Sequence, residues 1–178
     1  MTTIVWDGKT LAADTQVSSE CARVGKTPKL RQLAENLFVA AAGYQSDTLM
    51  FEVWAAGGFK QDAKPCIEGD EFQAIVIAPD GVFEFESALM PCPLLYPTAI
   101  GSGWMWAIAA LDFGATAEDA VKYAATRDVF TNDEVNFVHV TIAEPAPELK
   151  SVPGEPEPAP EPRPEAHVKP KAKTKVKK

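Results

Sequence analysis

The residue best suited to chemistry is Thr2, which directly follows the initiator methionine. Because threonine is small, removal of Met1 is expected, and this would leave a threonine at the amino terminus. Its hydroxyl is a nucleophile, and its free α-amine, with an ordinary pKa of about 7.7–8.0, can act as the general base near neutral pH. Many chains begin in this way with a threonine that only starts a frayed strand. The rest of the chain must therefore decide between the two interpretations.

The segments around Thr2 predict a hairpin, because Asp7-Gly8 separates two β-prone segments. A two-residue turn at this dipeptide would place Thr2 opposite Ala13. Asp14 would then lie one step from Thr2 and on the other face, so only a bulge or twist would bring the two side chains into one site. The alternative is that Asp14 merely ends the strand in a turn.

Later segments predict a mixture of strands and helices. In chain order they are an irregular stretch over 15–28, a hairpin over 29–43, a helix from Ser46 to about Ala56, a loop over 59–71, a hairpin over 72–86, an irregular stretch over 88–98, a helix from Trp104 to about Phe113, a helix capped by Thr116, and a strand over 135–143. This order fits an α+β fold in which helices cover two antiparallel sheets, a four-layer αββα sandwich.

Two local features have both a functional and a purely structural interpretation. Gly43 ends the segment Ala40-Ala41-Ala42 and could offer a backbone N–H or simply open a turn. The Gly-Ser-Gly segment around Ser102 precedes a helix and could hold an anion or a hydroxyl, or form a plain strand-to-helix turn.

The helix after Ser46 is predicted to turn Leu49, Met50, Val53 and Trp54 toward the core.

Composition and charge limit the function. The chain has 178 residues and a hydrophobic fraction of 46%. It lacks both a signal-peptide pattern and an apolar run of roughly 18 residues, so we expect a cytoplasmic protein without a membrane segment. Residues 1–144 carry 9 basic and 20 acidic side chains, which argues against nucleic acid as their ligand. Residues 145–178, with nine prolines among 34 residues, predict a disordered tail.

Metal and cofactor chemistry is not expected. The three cysteines lack metal-ligand spacing and are interpreted as reduced thiols. Of the two histidines, His139 falls in a predicted strand and His167 in the tail, which argues against a histidine-based triad or a zinc site. No Walker-type loop is present, so any use of ATP would come from a partner.

Six segments together resemble the family of proteasome β-subunits and HslV, which are N-terminal nucleophile hydrolases. They are MTTIV at the start, LAADTQ at 11–16, KLRQL at 29–33, AAGYQSD at 41–47, AIGSG at 99–103 and ALDFGATAEDAVKYAATRDVFTND at 110–133. They follow the family's order across residues 1–144. The resemblance implies the N-terminal nucleophile hydrolase fold and a threonine-type endopeptidase.

The resemblance also implies a role for each matching residue. Thr2 matches the nucleophile, Lys29 the active-site lysine, Asp14 the aspartate that orients this lysine, Gly43 the glycine whose N–H binds the oxyanion, Ser102 the serine near the threonine amine, and Asp128 and Thr131 the remaining polar surround. No cofactor is implied. The implied partners are a polypeptide substrate, further copies of the chain in a homo-oligomeric ring, and an AAA+ unfoldase.

The chain departs from the family pattern in two places within residues 1–144. One helix is predicted over 46–71 where the family has two long helices, and Trp104 follows Gly-Ser-Gly where HslV-like chains have a small residue. Two alternatives therefore stay open beside the peptidase. One is an amidohydrolase of the same fold that acts on a small amide, and the other is a non-catalytic shell or adaptor subunit.

Overall fold

The computed structural model describes residues 2–140, so the predicted tail over 145–178 lies outside the described residues. The described part of the chain forms strands β1 Thr3–Trp6, β2 Thr10–Asp14, β3 Gln16–Ser19, β4 Ala22–Lys26, β5 Leu30–Ala34, β6 Leu37–Ala42, β7 Gln73–Ala78, β8 Gly81–Glu86, β9 Cys92–Pro93, β10 Thr98–Gly101 and β11 Val135–His139, and helices α1 Gln45–Ala56, α2 Trp104–Asp112 and α3 Ala117–Ala125. A short 3-10 helix covers Gln61–Ala63.

The strands form two larger antiparallel sheets and one small hairpin. The first sheet has the order β10-β1-β2-β11 and is called the nucleophile sheet here because it contains the residues around Thr2. The second sheet has the order β5-β6-β7-β8-β9 and is called the glycine sheet because Gly43 follows β6. Strands β3 and β4 pair only with each other. The chain is thus a mixed α/β protein, as the sequence predicts.

Apolar side chains alternate between two clusters on each sheet, as a period of two requires. In β1, Ile4 belongs to a cluster shared with the glycine sheet, whereas Val5 packs with α3. In β7, Ile75 belongs to the shared cluster, whereas Val76 packs with α1 and the aromatic residues around Phe51. Each sheet is therefore buried on both faces.

The predicted register of the first hairpin is wrong by two positions. Ile4 lies opposite Ala13, so the connection is longer than a two-residue turn. The cause is Asp7, whose Oδ1 accepts hydrogen bonds from the backbone N–H groups of Lys9 and Thr10 and caps a wider turn. With this register, Asp14 Oδ1 lies 2.9 Å from the Thr3 nitrogen without the bulge that the predicted register required.

Helix α1 buries Trp54 but not the rest of the face that the sequence predicts. Phe51, Trp54 and Ala55 are buried, whereas Leu49 and Val53 are exposed, the latter by 74%. The predicted cap at Ser46 is also wrong, because the helix starts at Gln45 and lacks a side-chain cap. Apolar residues occur around the whole circumference of this helix, so spacing alone could not select the buried side.

Several short elements differ from expectation. The stretch over 15–28, predicted as irregular, forms the hairpin β3–β4, and the stretch over 88–98 contains the two-residue strand β9. The sequence did not predict this hairpin because β4 is exposed and has few of the alternating apolar residues that indicate a strand. The cap predicted for α3 is confirmed, because the Thr116 hydroxyl accepts a hydrogen bond from the Asp119 N–H. Within residues 2–140, no helix has the length and apolar character to cross a bilayer.

Candidate active site

Thr2 lies at the start of β1 and is almost fully buried, with 4% of its surface exposed. Its carbonyl oxygen accepts a hydrogen bond from the Ser102 N–H at 2.7 Å. This bond continues the ladder in which Thr3 lies opposite Gly101. Thr2 is therefore held by the backbone that follows β10, rather than frayed at a free strand end.

Two glycines allow the chain after β10 to approach β1 this closely. Gly101 has a φ of +86°, and a Cβ at this position would lie 2.0 Å from the Thr2 carbonyl oxygen. A Cβ on Gly103 would lie 2.2 Å from Thr3 Oγ1 and 3.2 Å from Thr131 Oγ1. Any side chain at either position would force the two segments apart. The Gly-Ser-Gly segment is thus a site of close backbone approach and not only a strand-to-helix turn.

Asp14 is fully buried and is the acceptor that joins Lys29 to β1. Its Oδ1 accepts a hydrogen bond from Lys29 Nζ at 2.8 Å and a second one from the Thr3 N–H at 2.9 Å. Its Oδ2 accepts from the Gln16 N–H at 2.9 Å, with the Asn132 N–H at 3.5 Å. These donors satisfy a carboxylate that could not otherwise be buried at this position.

Lys29 lies just before β5, and only 8% of its side chain is exposed. Burial lowers the pKa of its ammonium below the ordinary value, and the negative charges of Asp14 and Asp128 partly oppose this effect. The site therefore holds a cation that is easier to deprotonate than a surface lysine.

Asp128 organises a second set of hydrogen bonds. Its Oδ2 accepts from the hydroxyls of Ser102 at 2.6 Å and Thr131 at 2.7 Å. Thr131 Oγ1 also lies 2.5 Å from Thr3 Oγ1. Because the Thr131 proton is donated to Asp128, Thr3 is the donor in that last bond. The Ser102 proton is likewise directed at Asp128, which leaves the oxygen lone pairs of Ser102 available as acceptors.

Gly43 follows the end of β6 and has a φ of +131°. A Cβ at this position would lie 3.2 Å from the Phe72 Cα, so the glycine is backed directly by the start of β7. Its neighbour Ala42 has its Cβ 3.5 Å from the point where a Cβ on Gly101 would lie. Gly43 is exposed and lies one residue from that contact.

Hydrogen bonds link six of the seven residues singled out in the sequence, with Thr3 as the junction between the Asp14 and Asp128 networks. The seventh residue, Gly43, is not part of this hydrogen-bonded set, but it follows Ala42, whose Cβ approaches Gly101 next to Ser102. Sequence reasoning missed Thr3, Asn132 and Gln73, whose Oε1 accepts from the Gly101 N–H at 3.2 Å. A signal for Gln73 existed, because it is the polar residue in the apolar segment FQAIVIA.

Over 2–140, no three or more His, Cys, Asp or Glu side chains come together in a way that could hold a metal ion. Cys21, Cys66 and Cys92 are exposed free thiols. The buried charged residues of the candidate site are Asp14 and Lys29, which pair with each other.

No protein-family model and no curated protein sequence matches the chain. Solved structures do match it. Eukaryotic HslV from Trypanosoma brucei superposes with a TM-score of 0.59 at 22% identity, over 78% of this chain and 97% of that one. BPH from Thiobacillus denitrificans, in complex with epoxomicin, superposes with a TM-score of 0.58 at 15% identity, over 80% of this chain and 98% of that one.

A second structure of BPH from Thiobacillus denitrificans gives the same TM-score of 0.58 at 14% identity, and the match covers 81% of this chain and 99% of that one. All three structures are thus covered over nearly their full length. Identities in this range establish a shared fold and no more. The resemblance that the six sequence segments carry is confirmed at that level: the chain has the fold of HslV and of the proteasome-like β-subunit BPH.

Proposed function

We propose that this chain is a threonine-type endopeptidase subunit of a self-compartmentalised, proteasome- or HslV-like protease. Thr2 supplies both the nucleophilic hydroxyl and, after loss of Met1, the amine that serves as its base. The finer description of the fold belongs to the same proposal. The three apolar clusters fit a four-layer αββα sandwich, with α1 on the glycine sheet and α2 and α3 on the nucleophile sheet.

The single observation that carries the proposal is that Lys29 Nζ and the Thr3 N–H share one acceptor, Asp14 Oδ1. The Thr3 nitrogen is bonded to the carbonyl carbon of Thr2. A shared acceptor therefore anchors the lysine beside the residue proposed as nucleophile. A buried ion pair contributes little to stability by itself compared with apolar packing, so its presence next to a terminal threonine supports a chemical role.

The reaction starts when the Thr2 hydroxyl attacks the carbonyl carbon of a substrate peptide bond. The Thr2 amine accepts the hydroxyl proton through a water held by Ser102, whose lone pairs Asp128 leaves available. The Lys29 ammonium lowers the pKa of the neighbouring amine and stabilises the ionising hydroxyl.

The Gly43 N–H binds the oxyanion of the tetrahedral intermediate. Collapse of the intermediate breaks the C–N bond, and the Thr2 ammonium returns its proton to the departing amine. Water then attacks the acyl ester, with the amine again as base. This releases the second peptide and restores the free threonine.

Assembly into a homo-oligomeric ring is part of the proposal. The support is that large apolar side chains are exposed on α1 and on α2, as they are on surfaces that contact another protein. They are Leu49, Met50 and Val53 on α1, and Trp104, Met105, Trp106 and Phe113 on or just after α2. An AAA+ unfoldase that delivers polypeptide, and a cytoplasmic location, remain predictions.

The runner-up is an amidohydrolase of the same fold that acts on a small amide in a smaller assembly. The short interval between α1 and β7, with only a 3-10 helix in it, favours this alternative. A non-catalytic shell or adaptor subunit is the third candidate, and retention of Met1 would favour it because the amine would then be blocked.

One set of measurements separates the three candidates. The mass of the purified chain reports whether Met1 is removed, native mass reports a ring or a small assembly, and turnover of an unstructured protein is compared with turnover of small amides. The peptidase predicts a free Thr2, a particle of many subunits, and cleavage of the unstructured protein. Cleavage of small amides alone would support the runner-up, and a retained Met1 without turnover would support the third candidate.

If the first candidate is correct, we propose that epoxomicin, the compound found with BPH, attaches to Thr2 of this chain as well.

A further inference from the structure

Gln73 breaks the pattern of its own strand. Along β7, Ala74 and Val76 pack toward α1, whereas Ile75 and Ile77 pack into the cluster between the two sheets. Gln73 has the same phase as Ile75 and Ile77, so it lies on the face that meets the nucleophile sheet. A polar side chain at the edge of an apolar interface requires a hydrogen-bonding partner.

The partner of Gln73 belongs to the other sheet. Its Oε1 accepts a hydrogen bond from the Gly101 N–H at 3.2 Å. Gly101 ends β10, which is an edge strand of the nucleophile sheet, and the outer N–H groups of an edge strand have no neighbouring strand to receive them. Gln73 therefore supplies an acceptor that the sheet itself cannot.

Both ends of this hydrogen bond lie next to the candidate site. In the glycine sheet, Gln73 pairs with Ala42, and Gly43 is the next residue. In the nucleophile sheet, the residue after Gly101 is Ser102, whose N–H holds the Thr2 carbonyl at 2.7 Å. The hydrogen bond thus joins the segment that carries the proposed oxyanion donor to the segment that holds the proposed nucleophile.

We propose that Gln73 is a positioning residue that sets the distance between Thr2 and Gly43 by tying the two sheets together at the site. This inference rests on the proposed function. Gln73 acts through Gly101 and Ser102. If the nucleophile and the oxyanion donor move apart by about 1 Å, the rate falls by up to roughly a hundredfold, while substrate contacts away from the reacting carbonyl are unaffected. The loss should therefore appear in kcat rather than in KM.

The test compares Gln73→Met, which keeps the length but lacks an acceptor, with Gln73→Glu, which keeps the acceptor. Gln61→Met, in the exposed 3-10 helix, is the matched control. In peptide hydrolysis by the full chain, we expect kcat of Gln73→Met to fall about tenfold or more, with KM unchanged.

Gln73→Glu should keep kcat within about threefold of the parent at pH values where its carboxyl group is ionised, because the carboxylate still accepts the hydrogen bond from the Gly101 N–H. A purely structural glutamine would not give this pattern, in which kcat falls with KM unchanged in Gln73→Met and is retained in the variant that keeps the acceptor. Wild-type kcat in Gln73→Met, or equal damage in Gln73→Met and Gln73→Glu, would overturn the proposal.

Amide hydrogen exchange at Gly101 gives a readout that does not depend on activity. Exchange should become faster in Gln73→Met and stay slow in Gln73→Glu and Gln61→Met. If the parent chain hydrolyses no peptide, the proposed function fails and the catalytic role of Gln73 fails with it, while exchange still reports on the bridge. If the parent is active but exchange at Gly101 is unchanged in Gln73→Met, the hydrogen bond between Gln73 and Gly101 does not tie the sheets together, and this proposal fails while the proposed function stands.

Discussion

Two regions on opposite sides of the glycine sheet are built from different interactions. On one side, Asp14 and Asp128 each accept several directional hydrogen bonds from buried or half-buried donors. On the other side, beneath α1, an aromatic cluster packs with ring centroids 5.0–6.3 Å apart. Its members are Phe51, Trp54, Phe59, Phe72 and Phe85.

The hydrogen-bonded region positions the proposed catalytic groups, whereas the aromatic region stabilises the fold. Hydrogen bonds to buried carboxylates define angles and distances, but their net contribution to stability is modest because both partners lose water. Aromatic packing stabilises the fold through the apolar area that it buries, and it tolerates a range of ring orientations. The two regions meet at Phe72, a member of the aromatic cluster whose Cα backs Gly43. Changes in the first region should therefore alter activity most, and changes in the second should alter stability.

The largest effect is expected for Thr2→Ala, which removes the proposed nucleophile from the polar region. Peptide hydrolysis should fall by about a thousandfold or more, because the remaining groups only bind substrate. Tm should stay close to that of the parent. Thr2→Ser should keep part of the activity, and Thr126→Ala, at an exposed threonine, serves as the control. Equal rates for Thr2→Ala and the parent would show that another group is the nucleophile.

Lys29→Met should reduce both activity and stability. It leaves Asp14 buried without its ion-pair partner, which costs about 3–5 kcal/mol in the free energy of unfolding. Denaturant unfolding of Lys29→Met and of Lys29→Met/Asp14→Asn measures this cost. The double variant should recover part of the stability but none of the activity. Lys26→Met, at an exposed ion pair, is the control and should leave the stability close to that of the parent.

The aromatic region should respond in the opposite way. Phe51→Ala should cost about 3–5 kcal/mol, because Phe51 is fully buried among the other rings. Val53→Ala on the same helix should change stability by less than about 0.5 kcal/mol, because its side chain is exposed. Denaturant unfolding compares them. A large loss in Val53→Ala would mean that the face predicted from sequence is buried after all, by a second copy or by another element.

The smallest effect is the pH dependence that Lys29 should produce. Because the pKa of Lys29 is lowered, its ammonium loses its proton at a pH below the ordinary pKa of 10.5. Activity should therefore fall as the pH rises through the lowered pKa toward 10.5. The unfolded chain still binds the proton there, so the contribution of this group to the free energy of unfolding rises with pH. Residual activity of Lys29→Arg should lack the alkaline limb. An alkaline limb shared by the parent and Lys29→Arg would assign it to another group.

The sequence allowed the polar region to be predicted better than the aromatic one, for a physical reason. The buried Asp14 and the half-buried Asp128 need hydrogen-bond donors, so the presence of each aspartate at a family-like spacing predicts its donors nearby. The face of α1 could not be predicted, because Leu49 and Phe51 are equally apolar and only the tertiary partners decide between them. The register at Asp7 was missed because its side chain stabilises a wider turn than the Asp-Gly dipeptide suggests.

The central claim is that Thr2 is the nucleophile, and covalent labelling tests it most directly. The purified full chain is incubated with epoxomicin, and the modified peptide is mapped by mass spectrometry beside Thr2→Ala. We expect one molecule of epoxomicin to be attached per active subunit, on Thr2, and none to be attached to the variant. Modification of any other residue, or equal labelling of Thr2→Ala, would contradict it.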